Sequence, residues 1–269
     1  MAYVREIKCK SVLSKSQIYG VDFSVNPYLG CEHGCSYCFA RFMVRYVGHG
    51  IEWGKFVNVK TNSPRVLELE LCRAEKGLVL VSSVTDPYQP LEEKYELTRQ
   101  ILGILAKHDF PVSILTKSHL VVRDVDIIKK FSQCEVGLTI VTLDERVREA
   151  FEPRAPQIKK RLEALWSLHE SGIETYAFIG PMLPYFTEET LDDLLGRLGE
   201  VAVNRILVDR LNLKAGNWRT IRQTLVERYP KVICEFERTL FTPNEYYEKL
   251  KLRVLELCRQ QNLKVDFCY

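Results

Sequence analysis

The chain has 269 residues, of which 46% are hydrophobic, 10% aromatic and 27% charged. That composition supports a sizeable core and excludes disorder, collagen-like repeats and a disulfide miniprotein. Lys plus Arg number 38 against 35 Asp plus Glu, and this net +3 neither demands nor excludes a nucleic-acid partner.

Apolar, β-branched runs of strand type fall at residues 21–26, 78–82, 112–116, 136–141, 174–179 and 205–208. Each is continuous rather than alternating, as strands covered on both faces are. Helix-period segments follow them at 93–107, 124–131, 156–170, 188–200 and 218–228. In the fourth of these, Leu191, Leu194, Leu195 and Leu198 mark one helical face, and Thr187-Glu-Glu-Thr190 supplies a capping start. A last helix at 244–261 presents Tyr247, Leu250, Val254 and Leu257 as a stripe, with Pro243 suited to its first turn. Six strands alternating with helices predict right-handed βαβ units in a parallel α/β sheet or barrel. Chemistry in such folds collects at the carboxyl ends of the strands. No linker of Gly, Ser or Pro splits the chain, no apolar run reaches the ~18–20 residues of a membrane span, and residues 1–8 lack an apolar signal core. The expectation is a cytoplasmic protein with no membrane partner.

Six of the nine cysteines (Cys9, Cys72, Cys134, Cys234, Cys258, Cys268) are scattered and read as packed small hydrophobes. The other three, Cys31, Cys35 and Cys38, lie within eight residues directly after the first strand. Gly30 and Gly34 let that loop fold tightly enough for three thiolates to face one centre. Three sulfur ligands is an informative count. A structural zinc site wants four protein ligands, and an electron-transfer iron–sulfur cluster normally takes four cysteines. Three thiolates on a cluster leave one iron open to a small molecule. The alternative is zinc held by these cysteines plus His33, in a binding module without catalysis; His33 sits a cramped two residues from both Cys31 and Cys35.

The Cys-x3-Cys-x2-Cys spacing after a first strand resembles the radical S-adenosylmethionine (SAM) enzymes. Asn26-Pro-Tyr-Leu-Gly-Cys31 and Tyr37-Cys-Phe-Ala-Arg41 resemble the spore photoproduct lyase-like branch. So do Val84-Thr-Asp-Pro-Tyr-Gln-Pro90, Leu115-Thr-Lys-Ser118 and Phe151-Glu-Pro-Arg154, and the likeness spans roughly residues 20–215. The resemblance implies an incomplete (β/α)6 radical SAM barrel over residues 17–232, with a C-terminal helical extension, 233–269, packed on it. It implies a [4Fe–4S] cluster on Cys31, Cys35 and Cys38, S-adenosyl-L-methionine on the open iron, and an external electron donor of flavodoxin or ferredoxin type. Tyr37 and Phe39 fall where the family places aromatic contacts to the cofactors. Thr85, Lys117, Thr139 (in a register open to Thr142) and Arg154 fall where it places polar contacts to SAM, and Gly180 matches its glycine on the fifth strand.

One position departs from the pattern. Spore photoproduct lyases carry a hydrogen-donating cysteine after the second strand, where this chain has Ser83. A serine O–H is too strong a bond to give hydrogen to a carbon radical, so repair of the spore photoproduct is not expected. Cys268 and Tyr88 are the other conceivable hydrogen relays. Paired acids such as Asp192-Asp193 and Glu188-Glu189 read as solvated. Lys159-Lys-Arg161 and the stretch 205–222 are basic enough to touch a polyanion, so a nucleic-acid substrate is possible but not indicated.

Overall fold

In the computed structural model, which describes residues 2–48, 50–242 and 245–269, the backbone forms eleven strands. In chain order they are β1 (Tyr3–Ile7), β2 (Leu13–Lys15), β3 (Phe23–Val25), β4 (Tyr28–Leu29), β5 (Phe56–Lys60) and β6 (Val79–Val81). After these come β7 (Val112–Thr116), β8 (Cys134–Thr139), β9 (Glu174–Met182), β10 (Arg205–Arg210) and β11 (Val265–Phe267). The six expected strands are β3 and β6 to β10. They lie in one sheet of order β11-β10-β9-β8-β7-β6-β3-β2, parallel throughout except for the antiparallel edge pair β2–β3. Among the described residues the two ends of the sheet do not pair, so the barrel is open. It is the incomplete (β/α)6 fold, lengthened at one edge by β11.

The two-residue period of the strands sorts their side chains. Val25, Val81, Ile114, Val136, Leu138, Ala177, Ile179, Ile206 and Val208 are fully buried under the surrounding helices. Helices Leu97–Lys107, Ile158–Glu170 and Leu191–Glu200 supply the other half of that core. Alternate residues, among them Leu115, Thr139, Phe178 and Asp209, face inward and line the barrel's cavity. The last helix, Tyr246–Gln260, packs Leu250, Val254 and Cys258 onto the same core beside helix Leu191–Glu200. Its expected start at Pro243 and Asn244 lies outside the described residues.

Several elements differ from the sequence-based expectation, each for a local reason. The segment 93–107 is broken at Glu96 (φ +49). Buried Glu92 accepts from the backbone N–H groups of Thr98 (3.0 Å) and Arg99 (3.2 Å) and so restarts the helix at Leu97. Thr187 does not cap helix Leu191–Glu200; its hydroxyl accepts from the Leu183 N–H (2.8 Å). A second sheet, β1-β5-β4, escaped the sequence pattern because β4 is two residues long and β1 is almost wholly exposed. It also means that the cysteines follow β4, not β3.

Candidate active site

The loop carrying Cys31, Cys35 and Cys38 is fixed by contacts from distant parts of the chain. Gly30 adopts φ +97, and a Cβ there would collide with the Phe56 carbonyl and ring. Its own carbonyl accepts from the Thr85 hydroxyl (2.5 Å) and the Gln89 amide (3.3 Å). Gln89 also accepts from the Glu32 N–H (3.0 Å) and donates to Thr85 (3.0 Å). At the loop's far end, Asn217 donates to the Tyr37 carbonyl (2.8 Å) and Thr220 to the Ser36 carbonyl (2.7 Å). A short 3-10 helix, Phe39–Tyr46, then carries the chain away.

All three thiols border one cavity of about 190 Å³ at the carboxyl ends of β6 to β10. Tyr37, Phe39, Thr85, Lys117 and Thr139 share its wall, as do Ser83 and Gly180. Thr139, not Thr142, faces it, because the Thr142 hydroxyl is paired with Thr190 at 3.3 Å. Arg154 stands apart. Its guanidinium donates to the Gly54 carbonyl beside Gly34 of the cysteine loop, so it is engaged in holding that loop.

Lys117 leaves β7 with its backbone N–H donating to Asp86 (2.9 Å) and its ammonium 5.6 Å from the centre of the Tyr37 ring. Among the described residues no carboxylate lies within 4.0 Å of that ammonium. Burial works against its charge, but Cys35 and Glu152 nearby hold its pKa above the usual lysine value. Asp86 also accepts from Thr116 (2.6 Å) and the Tyr88 N–H (2.9 Å), and lies 3.4 Å from His33 Nδ1. Those donors and the His33 charge outweigh its burial and keep its carboxyl well below the ordinary range.

Behind Tyr37 runs a polar network that sequence reasoning missed. The Tyr37 hydroxyl donates to Glu152, Arg161 donates to the other Glu152 oxygen, and Arg161 also donates to the Thr139 carbonyl (3.0 Å). Glu152 and Arg161 are 0% and 1% exposed. Burial pushes the Glu152 pKa up, but Arg161 and Lys117 prevail and hold it low. Arg161 therefore does not belong to a basic surface patch. The sequence signal for it is Glu152 inside the Phe-Glu-Pro-Arg motif, where the resemblance points to Arg154.

The remaining cysteines correct one expectation. All nine are free thiols, and none of the other six lines the cavity. Cys258 is buried as foreseen and Cys9 and Cys134 are half-buried, but Cys72, Cys234 and Cys268 are exposed. Cys268 is held beyond β11 by its N–H to the Val208 carbonyl (2.9 Å), and Tyr88 is spent on Asp124 (3.1 Å).

Three thiols are the right chemistry for iron–sulfur ligation. Burial, then the Cys31 thiol, pushes the Cys38 thiol up to about 11, and burial, then Glu152 and the other two thiols, pushes Cys35 up as well, so a cationic centre is what would turn them into thiolates. Among the described residues no three His, Cys, Asp or Glu side chains close on a single metal ion. Ligands to different irons of a cluster need not do so. The cavity wall also holds buried polar atoms without a hydrogen-bond partner, at Trp53 Nε1 and Ser82 Oγ. A ligand-filled site would be expected to answer them.

The sequence model of the radical SAM superfamily matches residues 25–198. An uncharacterized protein of Methanocaldococcus jannaschii is 40% identical over 228 residues, covering 84% of this chain and 83% of that protein. The radical SAM Nalpha-GlyT isomerase of Pseudomonas phage M6 is 24% identical over 186 residues, 68% of this chain but 38% of that protein. Among solved structures, a mutant spore photoproduct lyase superposes with a TM-score of 0.76 at 14% identity, covering 99% of this chain and 82% of that one. At that identity the likeness speaks for the fold alone. With its family match extending over most of the strands that bear the cavity, the chain belongs to the radical SAM superfamily, whose enzymes work with SAM and an iron–sulfur cluster.

Proposed function

We propose that Cys31, Cys35 and Cys38 hold a [4Fe–4S] cluster whose fourth iron, free of protein sulfur, takes the amino and carboxylate groups of SAM. The observation that carries this reading is the meeting of three thiols with Lys117, Thr85 and Thr139 on one cavity. When bound, the cluster supplies the electron that cleaves the sulfonium into methionine and a 5′-deoxyadenosyl radical, which takes hydrogen from substrate.

The protein's own part is positioning. Lys117, with no carboxylate of the described residues within 4.0 Å of its ammonium, is free to pair with the SAM carboxylate. Thr85 gives its proton to Gly30 and accepts from Gln89, which leaves its oxygen a lone pair for an N–H of the SAM amino group. Thr139 offers a hydroxyl from the next strand but one. Tyr37 and Phe39 supply apolar walls that keep water from a reactive radical. Arg154 acts at one remove, by bracing the cysteine loop. The reducing electron would come from an external one-electron donor of flavodoxin or ferredoxin type. Residues 17–232 form the catalytic core and 233–269 an extension packed on it.

The substrate is other than the spore photoproduct, because Ser83 lines the cavity where a thiol would be needed. The test of this reading is anaerobic incubation of the reconstituted chain with SAM and dithionite. 5′-Deoxyadenosine forms with the parent protein and not with Cys35→Ala. Formation by both, or by neither, overturns it.

A further inference from the structure

Trp53 lies on the cavity wall and is nine-tenths buried. Its indole nitrogen can only donate, and among the described residues it finds no acceptor. Buried donors left in that state are rare in folded proteins and call for an explanation. The ring cannot readily turn away, because it packs edge-on against Phe56 at 6.2 Å and 80° and shares an apolar cluster with Cys31 and Ala40.

The backbone that carries Trp53 is seated on the cysteine loop at two points. Gly54, at φ +85, approaches so closely that a Cβ there would stand 2.7 Å from the Cα of Gly34. Two residues on, Phe56 occupies the space a Cβ on Gly30 would need. Arg154, donating to the Gly54 carbonyl, closes the first of these contacts. Gly30 precedes Cys31, and Gly34 stands between Cys31 and Cys35. The indole is therefore positioned relative to the thiols by the same contacts that shape their loop.

We infer that Trp53 donates its indole N–H to sulfur of the cluster, either a sulfide or a cysteinyl sulfur, and so favours the reduced state. The inference rests on the cluster reading proposed above. Reduction places added negative charge on sulfur, and a donor aimed at sulfur binds the more charged state better. Trp53 acts by a hydrogen bond to sulfur and not as an iron ligand, so its removal leaves the iron in place.

The experiment uses the full chain, reconstituted anaerobically without SAM, labelled with 15N-indole tryptophan and reduced with dithionite. Pulsed electron paramagnetic resonance of the unmodified protein is expected to show a 15N coupling to the cluster. Trp53→Phe, with iron and sulfide content equal to the parent, is expected to lack it. At a fixed solution potential its ratio of reduced to oxidised cluster should fall about tenfold, the factor for one charge-assisted hydrogen bond. A cluster without 15N coupling in the unmodified protein overturns the inference, as does a Trp53→Phe variant that titrates like the parent. If Trp53→Phe holds no cluster, the coupling in the unmodified protein decides alone. Absence of iron from the unmodified protein fails the cluster reading itself, a different result from iron without coupling.

Discussion

The Tyr37 hydroxyl donates to the Glu152 carboxylate across 115 residues of sequence, joining the cysteine loop to the end of helix Glu145–Phe151. Arg161 completes the arrangement from the other side. A carboxylate and a guanidinium buried this deeply are costly unless both are fully answered, and here each binds the other and further partners.

Replacing Glu152 by Gln should therefore cost about 3–5 kcal/mol of stability, since it leaves the Arg161 charge buried and unpaired. Lys159→Ala, two residues away in sequence from Arg161 but 85% exposed, should stay within about 0.5 kcal/mol of the parent. Urea denaturation of both variants checks the contrast.

The same carboxylate gives a pH dependence. Its native pKa lies below its ordinary value of 4.5, so its ion pair stabilises the fold above that pH. That contribution is lost as pH falls from about 4.5 through the depressed native value, where the native state must at last take up the proton. Glu152→Gln should flatten the acid side of the stability curve, measured by denaturation between neutral pH and the acid limit of folding.

Lys117 and Arg154 should separate by phenotype. Lys117→Ala should weaken SAM binding about 10- to 100-fold, the range for a lost charge-assisted hydrogen bond, with iron content unchanged. Arg154→Ala should instead lower iron retention, because it releases Gly54 from the cysteine loop. Isothermal titration with SAM, beside iron analysis of each variant, distinguishes the two roles.

These roles show what the sequence could and could not reveal. The six barrel strands were legible because each is a short β-branched run, and the cysteines because ligand spacing is local. Lys117, Thr85 and Thr139, each following or ending such a strand, could be found because the resemblance to the radical SAM enzymes implies polar SAM contacts at those positions. Glu152, Arg161, Asp86 and Trp53 were not legible in the same way. Their partners lie far along the chain, and a charge that will be buried against another looks, in sequence, like any surface charge. Arg161 beside Lys159 and Lys160 is the clearest example. The exposure of Cys72, Cys234 and Cys268 is not legible in the sequence, because a residue's type gives its average burial, whereas its helix face and edge position decide the particular case.

Exposure does not make those thiols ligands. Cys72→Ser, Cys234→Ser and Cys268→Ser should each keep about four irons and four sulfides per chain, while Ala at Cys31, Cys35 or Cys38 should lose most of them. Chemical iron and sulfide analysis after anaerobic reconstitution is the check.

Ser83 predicts a negative result. Its hydroxyl accepts from Asn26 (3.2 Å) on the cavity wall and cannot return hydrogen to a carbon radical. The reconstituted protein should not turn over a dinucleotide spore photoproduct efficiently. Turnover at a rate that Ser83→Cys fails to improve would contradict this, whereas inactivity of both proteins would assign the remaining difference to the substrate pocket.

If three cysteines hold the proposed cluster, one of its irons is left for SAM. Mössbauer spectroscopy of the chain reconstituted with 57Fe, before and after SAM is added, addresses it most directly. The expected result is a cluster in which one iron of about four changes its spectrum on addition of SAM and the others keep theirs. A spectrum indifferent to SAM, or a protein that binds zinc and no iron, would contradict it.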